Sequence, residues 1–276
     1  MNGFRQLIGQ AAGVSLLQQA IAKNRIAPAY LFAGPPGIGR ALGAKCFTEL
    51  LLSLGLSEEK QVKLKKRVWE RNHPDLYWVE PTYLHQGQLL TAKQAQENGL
   101  KRKAPPQVRI EQIRDITQFL SRPPLEASRC VVVIEAAETM TEAAANGLLK
   151  TLEEPGKATL ILIAPSVDSL LPTLVSRCQR IPFYRLCDRD VKTILGRLGY
   201  EEIIDHSDII GLSQGSPGEA IAAWQQLQNI PFELRQKLKK MPETPLDALQ
   251  LSKEVTTELD NDAQLWSVSY THLTLP

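Results

Sequence analysis

The sequence predicts an α/β protein, with a doubly wound parallel-sheet domain first and an all-α final third. Short uninterrupted apolar runs, Ala29–Ala33, Cys130–Ile134 and Thr159–Ile163, have the make-up of strands buried on both faces. Stretches with apolar residues at helical spacing separate them, and that alternation is the signature of parallel strands joined by crossover helices. Beyond Pro182 the apolar runs stop and only helical spacing remains.

In chain order, Val14, Leu17, Ile21 and Ile26 fall close to helical spacing, so a helix is expected within 11–26, ahead of the strand Ala29-Tyr-Leu-Phe-Ala33. Glycine and proline stop that strand in Gly34-Pro-Pro-Gly-Ile-Gly-Arg40. Leu42, Cys46, Leu50 and Leu54 then mark one side of a second helix. Periodicity weakens over 55–107, which reads as an insertion into the α/β domain. It contains a basic stretch, Lys63-Leu-Lys-Lys-Arg67, a His73-Pro-Asp75 turn and a second basic cluster, Lys101-Arg-Lys103. Both clusters read as solvated faces, with phosphate contacts as the alternative. A helix over 110–121 precedes the strand Cys130–Ile134. Thr141 is a natural N-cap for a helix through Leu148 and Leu152 that ends at Pro155-Gly156, ahead of the strand Thr159–Ile163. Further helices are expected around 190–198, 218–227, 232–238 and 246–255.

At 276 residues the chain exceeds one small core, and two or three domains are expected. With 43% hydrophobic and 22% charged residues, disordered and fibrous classes are excluded. A net charge of +2 falls short of a self-sufficient nucleic-acid-binding domain. The four cysteines, Cys46, Cys130, Cys178 and Cys187, contain no CxxC pair; they read as small buried hydrophobes, not as a zinc site or a disulfide framework. No run of about 18 apolar residues or basic-then-apolar leader is present, so a cytoplasmic protein without membrane contact is expected.

The turn after the first strand carries the chemistry. Gly34, Gly37 and Gly39 lie in the Gly-x-x-x-x-Gly frame of a phosphate loop, where backbone N–H groups surround phosphates at a helix N-terminus. The next two positions should be Lys and Ser or Thr; here they are Arg40 and Ala41. A planar guanidinium differs from an ammonium in reach and geometry, and Ala41 has no hydroxyl for Mg²⁺. The strand Cys130–Ile134 should end in a metal-associated Asp followed by a catalytic Glu; it ends in Glu135-Ala136. Hydrolysis at this loop is not expected, and the fold reads as one kept without nucleotide.

Several blocks resemble those of the clamp-loader AAA+ proteins: Leu7-Ile-Gly-Gln10, Ala29–Gly39, Ala143-Ala-Ala-Asn-Gly-Leu-Leu-Lys-Thr-Leu-Glu-Glu-Pro155, Pro172-Thr-Leu-Val-Ser-Arg-Cys178 and Ser213-Gln-Gly-Ser-Pro-Gly-Glu-Ala220. The resemblance covers roughly Leu7–Trp224 and implies a P-loop AAA+ parallel-sheet domain (1–182, with the 55–107 insertion). It also implies a small helical lid domain (183–228) and a partial all-α collar domain (229–266). The tail 267–276 resembles neither helix nor collar and reads as a non-native or disordered terminus. ATP-hydrolysing members carry an intact Lys-Thr loop, an Asp-Glu pair and an arginine where this chain has Gly218. The joint loss is similar to the delta-prime type of loader subunit of DNA polymerase III, a stator beside the motor subunits. Many relatives hold a four-cysteine zinc module before the His-Pro-Asp turn; only Cys46 lies in that region, so no metal is expected.

The resemblance implies one catalytic residue, Arg177, acting in trans as an arginine finger on a neighbouring subunit's ATP. Ser176 and Cys178 read as packing around a strand entry. Gly34, Gly37, Gly39 and Arg40 form a degenerate cofactor-binding loop without function. No cofactor of the chain's own is implied, ATP acting on partner subunits. The implied partners are gamma/tau and delta-type subunits, with the sliding clamp and primer-template DNA reached through the complex. Two alternatives stay open: an AAA+ motor that still binds or hydrolyses ATP, and a stand-alone DNA-binding module using 63–67 and 101–103.

Overall fold

A computed structural model describes residues 3–100 and 104–231, with single positions beyond. Among them five strands form one parallel sheet: β1 (Ala29–Ala33), β2 (Leu76–Val79), β5 (Cys130–Ile134), β6 (Ala158–Ala164) and β7 (Gln179–Pro182), in the order β2-β5-β6-β1-β7. A separate hairpin joins β3 (Thr82–His85) to β4 (Gln88–Thr91). Its Gln86-Gly87 turn has both φ angles positive, at 49° and 80°, the backbone twist that two-residue hairpin loops favour.

β1 and β5 coincide with the predicted runs, and every residue of β5 and β6 is buried. β1 pairs with β6 through Leu31↔Leu162, and β5 pairs with β6 through Val132↔Leu160. One face of the sheet receives α5 (Ile110–Leu120) and α6 (Glu142–Glu153): Ile113, Ile116, Leu148 and Leu152 pack with Leu31, Val132, Ile134 and Leu162. Elsewhere in the core, Phe47 of α2 (Arg40–Ser53) meets Tyr30 edge-on at 4.9 Å, and Phe32 stacks at a tilt on Phe183 at 5.3 Å. Thr141 caps α6 as expected, its Oγ1 accepting from the Ala144 N–H at 3.3 Å.

The structure corrects the reading of 55–107 as insertion throughout. β2 pairs in register with β5, from Leu76↔Val131 to Val79↔Ile134, so 76–79 is an outer strand of the main sheet. Before it stands α3 (Glu58–Trp69), and after the hairpin α4 (Ala92–Glu97). The His73-Pro-Asp75 turn has a packing role. Asp75 is buried, and its carboxylate accepts three backbone N–H groups, from Leu125 at 2.6 Å, Glu126 at 2.8 Å and Ala127 at 2.7 Å. That arrangement fixes the loop leading into β5.

By contacts the chain divides into two units: Met1–Pro35 with Gly39–Tyr184, and Pro36–Ile38 with everything from Arg185 onward. The second is helical where described, with α8 (Asp188–Arg197), α9 (Glu201–Ile204), α10 (Ser207–Ser213) and α11 (Pro217–Asn229). Its core gathers Val191, Leu195, Ile203, Ile209, Ala220 and Leu227. Most of the predicted collar segment 229–266, the tail 267–276 and the basic cluster 101–103 lie outside the described residues.

Candidate functional site

The phosphate-loop frame begins where β1 ends. The N–H of Gly34 donates to the Ala164 carbonyl at 3.3 Å, and a Cβ at Gly34 would lie 2.3 Å from the Phe183 carbonyl oxygen, so only glycine fits. Gly39, at φ +98°, turns the chain into α2, whose first residue is Arg40.

The apex of the loop, Pro36–Ile38, packs as part of the helical unit. Ser216, the N-cap of α11, accepts from the Glu219 N–H at 3.2 Å and donates its Oγ hydrogen to the Pro36 carbonyl at 2.9 Å. The Gly218 N–H donates to the Gly37 carbonyl at 3.0 Å. A Cβ on Gly218 would stand 2.6 Å from Gly37 Cα. The position at which the resemblance places an arginine in ATP-hydrolysing members thus has no room for any side chain here.

Arg40 is half-buried, and its Nη1 has no hydrogen-bond partner among the described residues. Burial pushes its guanidinium below the ordinary arginine range, an effect the charges of Glu138 and Glu135 partly offset. Ala41 contributes no oxygen. Glu135, at the acid position after β5, is already engaged: its Oε1 accepts from Arg71 Nη2 at 2.8 Å and from Trp78 Nε1 at 2.7 Å. Arg71 places its other arm on Glu80 and stacks over the Trp78 ring, 4.5 Å from the centroid. Nearby Lys45 has its ammonium pushed below the ordinary lysine range by burial and by Arg71, against the pull of Glu135 and Glu80. Ala136 takes a left-handed conformation at φ 45°, unusual for a residue with a Cβ. A nucleotide-bound Mg²⁺ does not fit this set: the hydroxyl ligand is absent, and the one acid in place is held by an arginine and an indole.

Among the described residues, no group of three or more His, Cys, Asp or Glu could hold a metal ion, and no helix is long and apolar enough to cross a membrane. In the basic stretch, Lys65 lies 3.7 Å from Glu49, Lys66 3.9 Å from Glu70 and Arg67 2.7 Å from Glu126. Three of its cations therefore already have carboxylate neighbours.

Arg177 stands apart from this loop, just after the single turn α7 (Pro172–Val175). Its Nη2 donates to Glu153 Oε1 at 2.7 Å and its Nη1 to the Thr173 carbonyl at 3.0 Å, with 38% of the side chain exposed. Ser176 donates to the same Thr173 carbonyl at 3.0 Å, and Cys178 packs against the sheet core with its thiol pushed up to about 11 by burial. Within Ser176-Arg177-Cys178 only the cysteine packs; Ser176, expected to pack, is exposed like the arginine and holds the turn through its bond to Thr173. The same upward shift, to about 11, holds for Cys46 and Cys130, which are buried as expected. Cys187 is not; it is exposed at the N-cap of α8.

Sequence reasoning singled out Gly34, Gly37, Gly39, Arg40, Ala41 and Arg177 because each sits at a fixed place in a linear motif. It missed Arg71, Trp78, Glu80 and Glu153. Only the backbone at Arg71, left-handed at φ 58°, is locally unusual, and no sequence pattern announces it.

Residues 9–186 match the family model described as DNA polymerase III, delta subunit. The chain belongs to that family. Within it, residues 189–275 match the model of the cyanobacterial DNA polymerase III delta prime C-terminal domain. Curated members similar to this chain include DNA polymerase III subunit delta' from Bacillus subtilis, 32% identical over 67% of this chain and 53% of its own length. The subunit delta' from Pseudomonas aeruginosa is 33% identical over 59% of this chain and 45% of its own. This family member thus spans about half the length of those relatives. Among solved structures, a DNA polymerase III gamma subunit-related protein from Thermotoga maritima aligns over 95% of this chain and 99% of its own, at 16% identity and a TM-score of 0.46.

Proposed function

We propose that this chain is a delta-prime-like clamp-loader subunit of the replicative DNA polymerase III complex. In this reading it is a stator whose own ATP site is degenerate and which supplies Arg177 to the ATP site of a neighbouring ATPase subunit during sliding-clamp loading. Its partners are gamma/tau and delta-type subunits; the clamp and primer-template DNA are met through the complex.

The observation that carries the reading is a solvent-facing Arg177 in a chain whose Glu135 carboxylate is already committed to Arg71 and Trp78. The absence of a hydroxyl at Ala41 and of space at Gly218 support it from the other side of the same contrast. A cation placed on developing phosphoryl charge, while contributing nothing to its own loop, is what an arginine acting in trans requires. Such an arginine contributes on the order of 10³ to 10⁵ in rate.

The test is ATP turnover of the complex reconstituted with its ATPase subunits, clamp and primer-template DNA. With Arg177→Ala the stimulated rate is expected to fall by at least about tenfold while the complex still assembles. Unchanged turnover in an assembled complex would refute the role.

A further inference from the structure

The mate of Arg177 is part of the same device. Glu153 sits in the last turn of α6, where a carboxylate adds to the negative end of the helix dipole and is unfavourable unless compensated. Arg177 compensates it at 2.7 Å. The guanidinium is held at two points, by Glu153 Oε1 and by the Thr173 carbonyl, and those bonds use two of its five N–H donors. Three donors are left over for a phosphoryl oxygen.

Exposure decides between a lock and a guide. With side-chain exposures of 38% for Arg177 and 53% for Glu153, the pair is of the solvent-screened kind that contributes little to stability. It cannot sequester the arginine against a phosphate, which offers a stronger charge-assisted and bidentate interaction. It can narrow the conformations that a long, rotamer-rich side chain samples before a partner arrives, and ordering such a side chain in advance removes a cost that binding would otherwise carry.

We infer that Glu153 is a positioning residue for Arg177, holding the guanidinium on α7 with its free donors turned outward for a phosphate on the adjoining subunit. This rests on the reading of Arg177 given above. Thr173 supplies the second anchor through its backbone, so side-chain replacement there leaves that anchor in place.

The experiment is a double-mutant cycle in the reconstituted complex, measuring kcat and KM for ATP. Glu153→Ala is expected to lower stimulated kcat about two- to fivefold, the factor set by an exposed pair, with KM unchanged. Glu153→Gln keeps an acceptor oxygen at the same reach and is expected to recover most of the loss. In an Arg177→Ala background, Glu153→Ala should add nothing. A rise in kcat, no change, or an equal loss in both backgrounds would each overturn the positioning role. Arg177→Ala alone decides the underlying reading: if it lowers turnover while Glu153→Ala does not, the arginine acts in trans without Glu153.

Discussion

At the scale of single residues, Arg71 does what a metal ion would do for the acids around it. It bridges Glu80 and Glu135, while the Trp78 indole donates a further bond to Glu135. Removing one partner of such a half-buried network leaves uncompensated charge, whereas removing both charges together is far milder. Arg71→Met is therefore expected to cost about 1–3 kcal/mol in urea unfolding, and adding Glu135→Gln should recover part of that loss because the two positions couple. Equal losses in the single and double variants would mean that Glu135 does not depend on Arg71 for its compensation.

His73 carries a pH dependence that can be signed. Its Nδ1 accepts the Asp75 N–H at 3.1 Å, and burial, with Arg67 adding to it, holds its pKa below the ordinary value against the opposing charges of Asp75 and Glu126. The folded ring stays neutral where the unfolded ring takes up a proton. Its contribution is thus fully present above the unfolded value of about 6.5 and is lost as pH falls below it. Thermal midpoints of the wild type should drop more steeply between about pH 7 and pH 5 than those of His73→Asn, and parallel curves would exclude this role.

What could be read at this scale depended on distance along the chain. Arg40 and Ala41 were legible because a phosphate loop fixes which residue follows its last glycine. Arg71 and Glu135 are 64 residues apart, and only the pairing of β2 with β5 brings them together.

At the scale of elements, the N-terminus of α11 on Pro36–Ile38 is the feature that glycine makes possible. The atom closest to a Cβ at Gly218 is backbone, Gly37 Cα at 2.6 Å, which cannot swing aside as a side-chain end would. Gly218→Ala is expected to lower stability by about 1–3 kcal/mol, the usual cost of overpacking. Gly211→Ala, on α10 with nothing within 4 Å of its added carbon, should be neutral or raise stability by up to about 1 kcal/mol. Differential scanning of the two variants measures the contrast, and equal behaviour would show that the α11 contact yields without cost.

Elements with a strong local signal were found almost to the residue: β1 and β5 as apolar runs, α6 from its threonine cap. The outer strands were not. β2, Leu76-Tyr-Trp-Val79, is an apolar run of only four residues, two of them half-buried, and β7 opens with the exposed Gln179 and Arg180, as suits a strand whose outer side meets no further strand. The hairpin escaped notice because Gln86-Gly87 is a weaker turn signal than Asn-Gly. Such elements are stabilised by what they pair with, and a linear pattern does not contain that.

At the scale of the whole molecule, the proposed loss of ATPase chemistry rests on three features of this family member. An arginine and an indole stand on the acid, a helix N-terminus on the loop apex, and an alanine at the hydroxyl position. The net charge of +2, with carboxylate neighbours at three cations of the 63–67 stretch, falls short of the basic footprint of a self-sufficient DNA-binding domain.

The central claim is that phosphoryl chemistry has been moved out of this chain's own loop. The most direct measurement is titration of the isolated chain with MgATP while following phosphate release. The account predicts no saturable binding into the millimolar range and no release above background; saturable micromolar binding accompanied by steady phosphate release would contradict it.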